Sequence, residues 1–225
     1  MENAIRGVLF DLDGTLVDTI PDITSAVNSA LEEAGLAPLT YGQVKTVVGK
    51  GLRNALQGAL ALRGRTVSDA RLDMLLHTLM EHYQAHPADH SKPYHGIEAL
   101  LHRLAADNIP MGVLSNKADS LTETIVGMLF PDIPFVSVEG MRTDRPRKPD
   151  PQGIFRFSSS AGVPVRNILY VGDSEVDWQT TLKAPEVQAA IVTWGFRSRE
   201  ALQAGGARPL LDTIDELEAK IYGID

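Results

Sequence analysis

The chain has 225 residues, 44% of them apolar, and a formal net charge of −8. It is large enough to bury a sizeable core, and its acidity argues against a nucleic-acid or anionic-membrane partner, though not against a small anion held at a local positive site. Cysteine is absent, which excludes disulfides, thiolate catalysis and sulfur-ligated metals.

The chain opens on "MENAIRGVLF", whose apolar run is too short for a secretory signal. No later stretch approaches the ~20 apolar residues of a spanning helix, so a cytoplasmic location is expected. "GVLF" at 7–10 reads as a buried strand, and it runs straight into "DLDGT" at 11–15. From about 18 to 89 only helical patterns occur. Ile20, Ile23, Val27 and Leu31 mark the first helix, with Gly35 as its stop, and "LRNALQGALALRG" (52–64) is a second. Residues 68–86 form a third, capped by Ser68. Strand-like runs return at 111–115, 135–138, 168–172 and 189–193, separated by helical patterns near 96–107, 118–128, 151–161 and 175–183. Continuous apolar strands alternating with helices predict a doubly wound, Rossmann-like parallel α/β sheet. The helical block then reads as an inserted all-helical cap over 18–89, with the core built from 1–17 and 90–225.

In such sheets ligands bind beyond the carboxyl ends of the strands. The first strand delivers Asp11 and Asp13; "MGVLSNK" delivers Ser115, Asn116 and Lys117; "ILYVGDSEVD" delivers Asp173, Ser174 and Asp177; and "RPRKPDP" delivers Lys148 before a helix. Carboxylates, a hydroxyl and a lysine on one rim suit a divalent hard cation and an anionic substrate. An unpaired carboxylate at a buried strand end would otherwise be costly.

With "DLDGT", Ser115, Lys148 and "GDSEVD" in that order, the chain resembles the haloacid dehalogenase (HAD) superfamily of hydrolases, phosphatase type, with a small helical cap of the C1 class. Through "DLDGTLVDT", "VLSNK", "KPDP" and "VTWGFRSREAL" it most resembles the phosphoglycolate phosphatase branch. It departs from that branch at Pro185 and Glu186, where a glycine-rich turn is usual.

The resemblance implies that Asp11 is the nucleophile and forms an aspartyl-phosphate. Asp13 is implied as general acid and base, with Ser115 and Lys148 holding the phosphoryl group. It puts Mg²⁺ on Asp11, the Asp13 carbonyl and Asp173, with Asp177 and Ser174 around them. Gly14 leaves room for the substrate, and Asn116 is a further substrate contact. An acid at position 13 favours phosphate esters over alkyl halides, which have no leaving alkoxide to protonate.

The expected substrate is a small phosphorylated metabolite, 2-phosphoglycolate first. Pyrophosphate and sugar phosphates are alternatives, as is a phosphomutase on the same scaffold. A non-catalytic regulator that binds a phosphorylated metabolite is the reading from a different class. The cap loop "VVGKGLRNAL" offers Lys50 and Arg53 to a substrate carboxylate. Monomer and homodimer are both open. His77, His82, His86, His90 and His95 read as surface residues of the cap and hinge, not zinc ligands; Trp194 and Phe196 read as packing residues; Arg142, Arg145 and Arg147 read as a solvated loop.

Overall fold

Four consecutive buried residues, Gly7–Phe10, form β1, as the uninterrupted apolar run requires. After β1, in chain order, come β2 (Val17–Asp18), α1 (Ile20–Glu33), α2 (Tyr41–Lys45), α3 (Leu52–Leu62), α4 (Asp69–Ala85) and β3 (Lys92–Pro93). Then follow α5 (Ile97–Ala106), β4 (Met111–Ala118), α6 (Asp119–Leu129), β5 (Phe135–Met141) and α7 (Gln152–Ala161). The chain closes with β6 (Ile168–Gly172), α8 (Glu175–Leu182), β7 (Gln188–Val192), α9 (Arg199–Ala204), β8 (Leu210–Leu211) and α10 (Ile214–Tyr222). This is a computed structural model, and it describes residues 4–224.

The chain divides into two compact units, Met1–Val17 with Pro93–Asp225, and Asp18–Lys92. In the first unit, a six-stranded sheet runs in the order β5-β4-β1-β6-β7-β8. Every pairing in it is parallel. β1 lies between β4 and β6, with Leu9 opposite Gly112 on one side and Tyr170 on the other. The strand order reverses between β4 and β6, on either side of β1, so the carboxyl end of β1 is a topological switch point. On one face Phe157 of α7 packs with Leu9, Leu114 and Tyr170. Gly112 admits that ring, since a Cβ there would stand 2.7 Å from Phe157 Cδ2.

The second unit is helical. α1 buries Ile20, Ile23, Val27 and Leu31, the residues whose spacing marked it, and α4 buries Leu72, Leu75, Leu79 and Tyr83. Gly35, at φ +68°, follows the α1 C-cap, and the Ser68 side chain caps α4 by accepting from Arg71 N. Asp22 of α1 is 2% exposed and holds the returning segment of this unit. It accepts from His90 N (3.1 Å), Ser91 N (2.7 Å) and Ser91 Oγ (2.5 Å). α2 was not visible as a separate helix; its Thr40 and Gln43 form a capping box over a single short turn. No described helix is long and apolar enough to cross a membrane.

Candidate active site

Asp11 stands just beyond β1, and its main-chain N–H still donates to Val171 O at 2.8 Å, which keeps it buried against β6. Leu12 N (2.7 Å) and Lys148 Nζ (2.8 Å) both reach its Oδ1. Burial pushes this carboxyl up to about 7 against the pull of Lys148, with Asp177 and Asp13 adding to the rise. The chain then turns on Leu12 O, which accepts from the N–H groups of Thr15, Leu16 and Val17. Gly14 has φ +86° there, and a Cβ would collide with Asp173 Oδ2, so only glycine suits.

The turn directs Asp13 to a different partner. Lys117 Nζ lies 2.9 Å from its Oδ1 and 3.1 Å from its Oδ2. Lys117 comes from the end of β4, where its N–H donates to Ser115 Oγ at 3.2 Å. The Asn116 Nδ2 between them donates to Lys148 O at 3.0 Å. Ser115, Asn116, Lys117 and Lys148 are all buried.

Lys148 bridges two acids, reaching Asp11 Oδ1 and Asp177 Oδ1 at 2.8 Å each. Burial alone would depress its ammonium, but Asp11 and Asp177 together hold it above the ordinary lysine value. Asp177 is fully buried, and burial alone would raise its carboxyl; Lys148, Ser174 and Tyr170 outweigh that and hold it low. Tyr170 OH donates to Oδ1 at 2.8 Å, and Ser174 N (3.1 Å) and Oγ (2.5 Å) donate to Oδ2. Ser174 is also the N-cap of α8, with Asp177 closing a capping box, so one local motif both starts the helix and satisfies a buried acid.

Asp173 is the opposite case. Burial first, then Asp177 and Asp11, drive its carboxyl well above the usual range, although Phe196 N donates to Oδ2 at 2.6 Å. Asp11, Asp173 and Asp177 each offer an oxygen within 4.8 Å of the others. Both oxygens of Asp177 are already engaged, which leaves Asp11, held at Oδ1 by Leu12 N and Lys148, and Asp173, held at Oδ2 by Phe196 N, as the acids with an oxygen to offer. An all-oxygen donor set of this kind fits a hard divalent cation. Thr15 Oγ1 and Asn116 Oδ1 are buried at the same rim with no hydrogen-bond partner, as expected where a polar ligand supplies one.

The structure thus brings together Asp11, Asp13, Gly14, Ser115, Asn116, Lys148, Asp173, Ser174 and Asp177. Lys50 and Arg53 belong to the helical unit, where Arg53 is ion-paired with Asp73 and Asp69. His82 is bound to Ser25 Oγ and His86 to Asp89, each at 2.8 Å, so neither presents a bare ligand pair. Sequence reasoning passed over the Tyr170 hydroxyl, the Phe196 N–H and the partner of Lys117. A tyrosine and a lysine inside apolar strand runs do carry a signal, because each polar end needs a buried partner. Trp194 was read as packing; its Nε1 donates to Thr15 O at 3.2 Å and ties the loop after β7 to the turn after β1.

A parallel α/β sheet whose switch point carries a cluster of buried acids, two buried lysines and a glycine turn defines an enzyme acting on an anionic substrate. The chain belongs to the haloacid dehalogenase-like hydrolase family, whose model matches residues 8–192. It is similar to the phosphoglycolate phosphatase of Cereibacter sphaeroides, at 37% identity over 191 residues, covering 85% of this chain and 86% of that one. The phosphoglycolate phosphatase of Rhodospirillum rubrum is 35% identical over 216 residues, covering 94% and 89%. A crystal structure from Lactobacillus delbrueckii subsp. bulgaricus superposes with a TM-score of 0.91 at 30% identity, covering 98% of this chain and 99% of that one.

Proposed function

We propose that this protein is a Mg²⁺-dependent phosphatase that hydrolyses a small phosphomonoester, 2-phosphoglycolate first, through a phosphoryl group carried on Asp11. The observation that carries the reading is the Lys148 ammonium, 2.8 Å from both Asp11 and Asp177, beside the buried Asp173. The relatives named phosphoglycolate phosphatase support the choice of substrate.

Leu12 N and Lys148 hold Oδ1 of Asp11, so Oδ2 is the oxygen that attacks phosphorus. The P–O ester bond breaks and Asp13 gives its proton to the departing oxygen. Ser115, Lys148 and the N–H groups around them bind the transferring phosphoryl oxygens. Asp13, now a carboxylate, takes a proton from water as that water attacks phosphorus. The P–O bond to Asp11 breaks and inorganic phosphate leaves. Mg²⁺, held by Asp11, Asp173 and the Asp13 main-chain carbonyl, would supply the positive charge that lets one anion approach another. Asp177 does not join this set in our reading; it fixes Lys148, and Ser174 fixes Asp177. For the helical unit we propose the role of a cap that selects the leaving group and excludes water, with Lys50 and Arg53 as its substrate contacts. Arg53 would have to give up Asp73 and Asp69 to serve there.

The test is phosphate release from 2-phosphoglycolate by the wild type and by Asp11→Asn, each with Mg²⁺ and with EDTA. Wild type with Mg²⁺ turns over and the other three conditions do not. Metal-independent turnover, or a fully active Asp11→Asn protein, overturns the reading.

A further inference from the structure

Asp173 sits where the ends of three strands meet. β7 runs beside β6 with Ile191 opposite Gly172, so the loop that leaves β7 falls next to Asp173. The turn after β1 packs against the same carboxyl through Gly14. Thr193 fixes the start of the β7 loop: its N–H donates to Leu211 O at 3.0 Å and its Oγ1 to Asp212 Oδ1 at 2.5 Å. Trp194 Nε1 then donates to Thr15 O at 3.2 Å, and Phe196 N to Asp173 Oδ2 at 2.6 Å.

Gly195 stands between those two bonds and needs its missing side chain. A Cβ at position 195 would collide with Gly14 O and with Cβ and Oδ2 of Asp173, and a Cβ at position 14 would collide with that same Oδ2. Oδ2 is therefore walled by two glycine backbones and already accepts the Phe196 N–H, in a residue only 2% exposed. A cation about 2 Å from Oδ2 would have to displace one of those three groups. Asp173 reaches a metal through Oδ1.

The number of oxygens an acid offers bears on which cation it holds. Ca²⁺ takes about 6 to 8 oxygens at about 2.3 to 2.6 Å and accepts both oxygens of one carboxylate. Mg²⁺ demands a near-octahedral shell at about 2.0 to 2.1 Å, which ligands giving one oxygen each supply. The groups around a ligand set its orientation and with it the affinity for the metal.

We propose that Gly195 and Phe196 are positioning residues: they confine Asp173 to ligation through one oxygen and so favour Mg²⁺ over Ca²⁺ at this site. The proposal rests on the metal-dependent phosphatase reading above and brings the loop after β7 into it. Trp194 secures that loop to the turn that carries Asp13 and Gly14.

The experiment titrates MgCl₂ and CaCl₂ by calorimetry into wild type, Gly195→Ala and Trp194→Phe, each stripped with EDTA and dialysed. Wild type binds Mg²⁺ more tightly than Ca²⁺. In Gly195→Ala the added methyl parts the loop from Asp173, so Mg²⁺ affinity falls at least about tenfold. Ca²⁺ affinity falls less, and the ratio of the two drops. Trp194→Phe keeps an aromatic ring, loses the bond to Thr15 O and shifts the ratio the same way by less; it carries the comparison if Gly195→Ala does not fold. Equal losses for both cations, or none, would mean that the loop only supports the fold, and would overturn the proposal. A wild type that binds Ca²⁺ at least as tightly as Mg²⁺ overturns it too. Both results leave the phosphatase reading standing where wild type still releases phosphate from 2-phosphoglycolate with Mg²⁺ and not with EDTA. A wild type that binds neither cation and turns over equally well in EDTA sinks both.

Discussion

At the scale of single residues the site is an arrangement of unequal acids. Asp177 is held low by Lys148, Ser174 and Tyr170, whereas Asp11 and Asp173 are pushed up first by burial, with the charge of Asp177 adding to the rise of each. Removing the ammonium of Lys148 should therefore damage both chemistry and stability. Lys148→Met leaves two buried carboxylates facing each other, and truncating one partner of a buried ion pair costs about 3 to 5 kcal/mol. Urea unfolding should show a loss of that order, with phosphate release falling at least about 1000-fold, as for loss of a group that holds transition-state charge. Tyr170→Phe is the milder counterpart, because Asp177 keeps Lys148 and Ser174. It should cost about 1 kcal/mol in the same unfolding assay and leave substantial turnover.

The acids at 11, 13, 173 and 177 were legible because a strand cannot end in carboxylates without a reason. Their unequal environments were not, since Tyr170 and Phe196 reach them from seven and twenty-three residues away. Sequence periodicity carries no signal at those separations.

At the scale of elements, the long amphipathic helices and most of the apolar strands were readable to within a residue or two, while β4 and β5 each run three residues past their expected ends, to Ala118 and Met141. β4 continues through Ser115, Asn116 and Lys117 to Ala118, past the end of its apolar run, because those polar groups find partners inside the protein. The short α2 and the two-residue β8 lacked an apolar period long enough to read, whereas α10 carries Ile214, Leu217 and Ile221 at helical spacing and was passed over.

Two predictions belong at this level. Gly14→Ala places a methyl against Asp173 at a positive φ, so calorimetric Mg²⁺ affinity should fall at least about tenfold, the scale of losses when groups around a metal ligand are disturbed. Unchanged affinity would dissociate the glycine turn from the metal site. Asp22→Ala strips His90 N, Ser91 N and Ser91 Oγ of their shared acceptor. Buried groups left unsatisfied cost about 1 to 3 kcal/mol, and hydrogen exchange at residues 90 and 91 should quicken selectively.

At the scale of the whole molecule, a chain with net charge −8 gathers two lysines and four acids at one switch point of a parallel sheet. The bulk charge disfavours polyanionic partners and leaves a small anion to be bound locally. Four acids against two lysines leave that site formally negative, so the account requires the divalent cation that Asp11 and Asp173 would hold before a phosphate ester can bind there. Its central claim is that the phosphoryl group passes through Asp11. The direct measurement is acid quench of the protein during turnover of 2-phosphoglycolate with Mg²⁺, followed by proteolysis and mass spectrometry. The account predicts one phosphoryl group on the peptide that contains Asp11, absent from the EDTA control and from Asp11→Asn. Phosphate release by Asp11→Asn at the wild-type rate, or a phosphoryl group on another residue, would contradict it.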